Sequence, residues 1–284
     1  MKKIISKIQD SALDMMKNVK YEDKTHTYYS TETGEWFQGV STVSSIVPKD
    51  WLSAWGAKEA VKALGYSDYE GDTETAKEVM KQIKNMKTPE EFILFLKDAK
   101  GASKRKSKTA LVDGTAGHEW LETYVKAKIR NTKLPAIPKG SLERPINQFL
   151  EWEQKNVKQW ILSEARVSNV SKKYAGTLDA VAILEDWSLS LIDFKFSSHI
   201  SEDYLLQTAG YQACFEPYNI EFDSRVIIRL PKTLEKEEWD KETMKYRMVA
   251  NDIEVMMLDK GYEEDRDAFY HALPLKRWIN KFTK

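Results

Sequence analysis

Two apolar runs that alternate in character constrain this chain's fold more than any other stretch. They are Gly176-Thr-Leu-Asp-Ala-Val-Ala-Ile-Leu184 and Ser188-Leu-Ser-Leu-Ile-Asp-Phe-Lys-Phe196, and only Glu185-Asp186-Trp187 separates them. Runs of this length and pattern are strands, and a three-residue spacer closes them into a hairpin. Pairing Leu184 with Ser188 and counting back sets Asp179 opposite Asp193. Leu189, Leu191, Asp193 and Lys195 then share one face, Ile192, Phe194 and Phe196 the other, and Asp179, Val181 and Ile183 a common face. Directly opposed Cβ atoms lie about 4.5–5.5 Å apart, so two carboxylates meeting there repel unless a cation bridges them. A hard divalent ion, magnesium or manganese, answers that need, and Lys195 stands one pleat away. A slip of one residue would undo the pairing.

An acid-x-Lys triplet alone says little. Glu22-Asp23-Lys24 and Glu153-Gln154-Lys155 repeat it in this chain, and a solvated ion pair on an edge strand reads equally well. The meeting of both acids at one end of one hairpin carries the argument.

Around the hairpin the pattern gives a helix at 141–158, strands at 159–170, 174–184 and 188–196, a helix at 202–215 and a strand at 224–230. An acidic–basic segment and a C-terminal helix near 265–281 follow. This is an α/β core. Upstream, residues 1–20 read as a short helix or a loose tail, and Thr25–Ser30 and Glu35–Val40 as a hairpin. Ser41 and Thr42 can cap a short helix, and Asp50 a second one over Trp51–Leu64 that stops at Gly65. Thr88-Pro89-Glu90-Glu91 has the cap, proline and acidic first turn of a helix start. Gly101–Lys108 is basic, small and polar, and reads as a mobile loop before a helix at about Leu111–Ile129. The chain thus divides into an N-terminal hairpin and helical lobe with a basic loop (1–110) and the α/β core with its C-terminal helix (111–284).

Lys+Arg and Asp+Glu both number 44, so attraction to a polyanion has to come from local patches. The one cysteine, Cys214, rules out a disulfide framework, a multi-cysteine zinc site and a four-cysteine iron–sulfur cluster within the chain. No apolar run approaches the length of a membrane span and no secretory signal is present, so the expected setting is soluble, reducing and cytoplasmic.

Further candidates flank the hairpin. His118 sits in Gly114-Thr-Ala-Gly-His-Glu-Trp-Leu-Glu122, where two glycines that disfavour a helix interior suggest a helix start with close backbone approach. Glu122, one turn on, can orient His118 or simply be exposed. Gln207 and Tyr211, four apart, share a helix face. Glu164 is an acid on the preceding strand, and an ion pair with Arg166 or Lys172 is its bland alternative.

In chain order, Gly-Thr-Ala-Gly-His118, Gly-Thr-Leu-Asp179, Asp193-Phe-Lys195 and Gln207-Thr-Ala-Gly-Tyr211 resemble the RecB-like branch of the PD-(D/E)XK nuclease superfamily. The run from His26 to Glu59 is similar to the leader of its phage-type and mitochondrial genome-maintenance exonucleases. The resemblance extends from about residue 21 and thins over 66–110 and 232–262. It implies a restriction-endonuclease-like core, a central mixed sheet flanked by helices, with a helical N-terminal elaboration. It also implies a metal-dependent exonuclease acting on DNA ends of single-stranded character, in recombination, repair or replication, with a protein partner from those processes. The rivals are an endonuclease selective for structure or site, and a DNA-binding scaffold without catalysis.

By the same resemblance, Asp179, Asp193, His118 and the carbonyl of Phe194 bind one or two magnesium or manganese ions, with Glu164 as a further ligand. Lys195 positions or helps deprotonate the attacking water, and Gln207 and Tyr211 orient Lys195 or touch the DNA backbone. Lys104, Arg105, Lys106, Lys108, Lys172 and Lys173 are candidates for phosphate contacts, with ordinary solvation as the alternative. Trp51 and Trp55, which share a helix face, are candidates to stack unpaired bases, although a place in the core is the commoner role of such a pair.

Overall fold

A computed structural model describes residues 2–68, 73–231, 233–241 and 243–282. From the N-terminus come α1 (Lys2–Asn18), β1 (Val19–Glu22), β2 (Thr27–Ser30), β3 (Trp36–Gly39), α2 (Val40–Ser44), α3 (Trp51–Ala63), α4 (Glu74–Asn85), α5 (Pro89–Lys100) and α6 (Ala102–Arg130). Then follow α7 (Glu143–Asn156), β4 (Val157–Asn169), β5 (Tyr174–Leu184), β6 (Leu189–Lys195), α8 (Asp203–Gln212), β7 (Ser224–Arg229), β8 (Glu235–Asp240), β9 (Lys245–Ala250), β10 (Glu254–Leu258) and α9 (Tyr262–Asn280). The chain divides into two compact units, one of Met1–Val47, Ala116–Lys232 and Asp252–Lys284, the other of Pro48–Thr115 and Thr233–Asn251. Among the described residues no helix is long and apolar enough to cross a membrane.

The first unit is α/β, with a central mixed sheet flanked by helices, as expected. Its sheet runs β1-β2-β3-β5-β6-β7-β10, with β4 beside β5. Strand β4 lines β5 from Tyr174 to Leu184. The other edge of β5 is therefore shared: β3 takes Tyr174 and Ala175 in parallel, and β6 takes Ala180 to Ile183 antiparallel. Between them Gly176–Asp179 pairs with neither, and the sheet forks there.

Two apolar layers cover the sheet. On one face Ile8 and Met15 of α1, Val40 of α2 and Phe269 of α9 pack with Val181 and Leu191. On the other, Leu121 and Val125 of α6 and Phe149 of α7 pack with Ala182, Ile192 and Val226. Each large side chain so buried contributes roughly 1.5–3 kcal/mol of transfer free energy.

Several expectations change. The basic stretch at 101–108 is no loop: from Ala102 it forms the first turns of α6, a helix of 29 residues. Lysine, arginine and alanine are good helix formers, and their periodicity simply continues into the run that follows. Gly114 and Gly117 consequently lie inside the helix and do not open it. The N-cap of α2 is Gly39, so neither Ser41 nor Thr42 caps it. Asp50 precedes α3 without a side-chain capping bond. Thr88 does cap α5, accepting from the N–H of Glu91 at 3.3 Å. The segment read only as acidic–basic holds β8, β9 and β10. In the second unit β8 and β9 form their own two-stranded sheet, and mostly charged, exposed side chains hid that alternation.

Candidate metal and catalytic site

The hairpin has the expected register: Ala180 pairs with Ile192 and Ile183 with Leu189, and the N–H of Leu184 donates to the carbonyl of Ser188 at 2.9 Å. Trp187 adopts φ +70°, the left-handed step that a three-residue loop requires. Strict alternation, however, fails at the fork. Leu178 belongs to one apolar layer and Ala180 to the other, although residues two apart in a regular strand share a face. Directly across, Glu164 falls between the pairs Ser163–Ala180 and Ala165–Leu178 and has φ +48°, rare for a residue bearing a side chain. Asp179 thus sits where β5 switches faces, directly across from the left-handed step at Glu164. Asp179 does not stand straight out from the sheet. It turns along the open edge, where Oδ2 accepts from the N–H of Phe194 at 2.7 Å.

That switch lets side chains from both layers converge. His118, on the α6 face that also presents Leu121 and Val125, reaches the fork from one side. His118, Glu164 and Asp179 each offer a ligand atom, all within 4.8 Å of one another. Beside them Asp193 is 0 % exposed. Its Oδ1 is buried with no hydrogen-bond partner among the described residues, and Nζ of Lys195 touches Oδ2 at 2.6 Å. A buried, partnerless carboxylate oxygen next to three N and O donors is the chemistry of a cation site.

The electrostatics agree. Burial, then Asp179 and Glu122, push the carboxyl of Glu164 up to about 8. Burial raises Asp193 to about 6, against the pull of Lys195 and with the push of Asp179. Asp179 is raised by burial, although Lys195 and the Phe194 amide oppose it. For Lys195, burial disfavours the charge, but Asp193 and Asp179 together outweigh it and hold the ammonium above its ordinary range. The lysines here are committed: Lys195 to Asp193, and Lys126 to Glu122. Glu122 therefore pairs along its own helix with Lys126, a partner that neither of its expected roles supplied.

Gln207 and Tyr211 lie together on α8, with the Gln207 amide donating to the Tyr211 hydroxyl at 2.9 Å. Burial, then Asp193 and Asp179, raise the Tyr211 phenol well above its usual range, so it stays protonated beside the acids. Gly176 leaves room for this ring: a Cβ there would lie 2.5 Å from Cε1 of Tyr211. Two contributors escaped the sequence reading. The ring of Tyr204 takes the Lys195 ammonium at 4.9 Å from its centroid, and its place three before Gln207 on the same helix face was the available signal. The ring of Phe196 packs edge-on to His118 with centroids 5.3 Å apart.

The expected DNA contacts are dispersed. Lys104, Arg105, Lys106 and Lys108 lie on the first turns of α6 in the second unit, where Arg105 pairs with Asp98 at 2.9 Å and Lys106 with Glu59. Trp51 and Trp55 are on α3 of that unit, the first exposed and the second half-buried. Lys172 and Lys173 occupy the β4–β5 turn. There Lys172 lies over the Tyr270 ring at 4.2 Å and Lys173 pairs with Glu35 at 2.7 Å, and neither joins the acid cluster.

Fold and site together define an α/β protein with a half-buried cluster of two acids and a histidine, beside the buried Asp193, suited to a metal ion. No known protein family matches the chain, and no curated protein does. Among solved structures it is similar to LHK-Exo, crystallised in complex with dAMP. The identity is 11% and the TM-score 0.25, over 58% of this chain and 84% of that one.

Proposed function

We propose that this chain is a divalent-metal-dependent deoxyribonuclease of the PD-(D/E)XK superfamily, RecB-like branch, hydrolysing phosphodiester bonds at DNA ends. The convergence of His118, Glu164 and Asp179 within 4.8 Å beside Asp193 and Lys195 carries the reading. Three of the four sequence motifs contain His118, Asp179, Asp193 and Lys195, and together with the fourth, Gln207 to Tyr211, they support it.

His118, Glu164 and Asp179 would hold the ion, with Asp193 and the carbonyl of Phe194 as further donors. In an extended strand a residue's N–H and C=O leave by the same edge, and the N–H of Phe194 already meets Asp179. A bound magnesium or manganese ion supplies an acidified water and neutralises charge building on the phosphoryl oxygens. Lys195, held protonated, acts as a fixed positive donor toward the water or a phosphoryl oxygen and does not take the proton. Tyr204 steadies its ammonium and Asp193 orients it. Tyr211, fixed by Gln207, remains a hydroxyl donor at the floor of the site.

Digestion of end-labelled single-stranded, duplex and covalently closed circular DNA, with magnesium or manganese, tests the proposal. The expected result is metal-dependent loss of linear DNA from its ends with circles intact. Nicked circles would move the reading to an endonuclease. DNA bound but uncut with either metal would leave a scaffold and overturn it.

A further inference from the structure

The geometry points to a second anion site, a pocket at the β4–β5 turn that takes a backbone phosphate of DNA some distance from the hydrolysed bond. The inference rests on the nuclease reading for the identity of its ligand.

The pocket has a volume of about 440 Å³, and Ser171, Lys172, Lys173, Tyr270 and Arg277 contribute to its wall. No carboxylate of the described residues lines it. Three cations thus face one cavity in a chain whose formal net charge is zero. Lys173 has Glu35 as its partner, and Lys172 rests on an aromatic ring. Arg277 is different. Its Nη2 donates to the carbonyls of Lys172 and Lys173 at 2.6 and 2.8 Å, so neutral oxygens receive its hydrogen bonds. A half-buried guanidinium bonded to carbonyls keeps charge available to an anion, although the Glu35 carboxylate that pairs with Lys173 also acts on it. The same two bonds fix the turn, in which Lys173 has φ +56°, so the cavity is shaped before any ligand arrives.

Position sets what kind of anion fits. Tyr174 begins β5 and Asp179 lies five residues on, which at about 3.3 Å per residue separates turn and cluster by roughly 17 Å. Along B-form DNA, at about 3.4 Å per step, that is roughly five base pairs. A phosphate held here belongs to the flank of a substrate whose scissile bond lies at the cluster.

The test is metal-free binding of fluorescent duplexes of 5 and 20 base pairs to the full chain, titrated with salt. Lys172→Gln should weaken the 20-mer on the order of fivefold at 0.1 M salt and lower the slope of log K against log salt by about 1. The 5-mer should lose much less, and Lys172→Arg should restore the 20-mer. Arg277→Gln should act in the same direction, with a melt to separate loss of the turn from loss of charge. Inorganic phosphate at millimolar concentration should compete only weakly, since it gains nothing from the rest of the duplex. An unchanged salt slope in both Gln variants would overturn the inference, as would equal losses on the two lengths or phosphate binding as tight as DNA. A chain that binds the 20-mer through this pocket yet hydrolyses nothing would sink the nuclease reading and still support this one.

Discussion

The backbone N–H of Phe194 holds Oδ2 of Asp179 at 2.7 Å, and that amide is the peptide link to Asp193. One acid of the pair is pinned by the bond adjoining the other. Asp179→Asn and Asp179→Ala should therefore part company. Asparagine keeps an acceptor for the amide and removes a buried charge, so the metal-free protein should melt at or above wild type. Alanine strands a buried N–H and should lose about 1–3 kcal/mol. Both should lose metal-dependent cleavage. Thermal melts of the two variants decide the point, and equal stabilities would show that the amide bond contributes nothing.

Stability of the metal-free chain should fall as pH rises from about 5 to 9. The sign follows from the raised acids: Glu164 and Asp193, with Asp179 shifted in the same direction. Below their unfolded values Glu164 and Asp193 are protonated in both states and contribute nothing. Between there and about 6 for Asp193, or about 8 for Glu164, the folded chain keeps protons that the unfolded chain releases. Stability is then lost progressively with each step upward. Metal competes with those protons, so 5 mM magnesium or manganese should raise the melting temperature more at pH 8.5 than at pH 5.5. Glu164→Gln should flatten the upper part of the profile. A metal shift independent of pH would remove these carboxylates from the ligand set.

Lys195→Met should destabilise by up to about 3–5 kcal/mol at pH 8, because it leaves the buried Asp193 carboxylate without its cation. At pH 5 the loss should shrink, since Asp193 can neutralise itself by taking a proton. The double variant Asp193→Asn/Lys195→Met should recover much of the stability, and each single change should abolish cleavage. Additive losses in the cycle would mean that the two groups do not interact.

The sequence yielded the hairpin register because an alternating apolar pattern with a three-residue loop admits few alternatives. The convergence of His118 was readable only through motif order, since its helix packs on the opposite face from Leu191. No local periodicity reports that β5 switches faces at Asp179, or that Glu164 opposite it takes a left-handed backbone step. The start of α6 was misplaced for a related reason. Gly114 and Gly117 read as a helix boundary by propensity, whereas a tertiary contact at Gly117 overrides propensity there.

That contact gives the last prediction. A Cβ on Gly117 would lie 2.2 Å from Cζ of Phe196 and within 2.6 Å of both Cε atoms. Two effects compete in Gly117→Ala. Helix propensity favours alanine by about 1 kcal/mol in a helix interior, while overpacking costs about 1–3 kcal/mol. The ring cannot yield freely, since Phe196 is buried in the α6–α7 layer, so the clash should win and the variant should melt lower than wild type. Phe196 also packs edge-on to His118, so its displacement should carry the imidazole with it and weaken metal binding at least tenfold by calorimetric titration. Gly117→Ala/Phe196→Leu should regain stability by removing the ring but not metal affinity, because the imidazole loses its support. A Gly117→Ala protein that melts higher and binds metal normally would show that the glycine is there for reasons other than this ring.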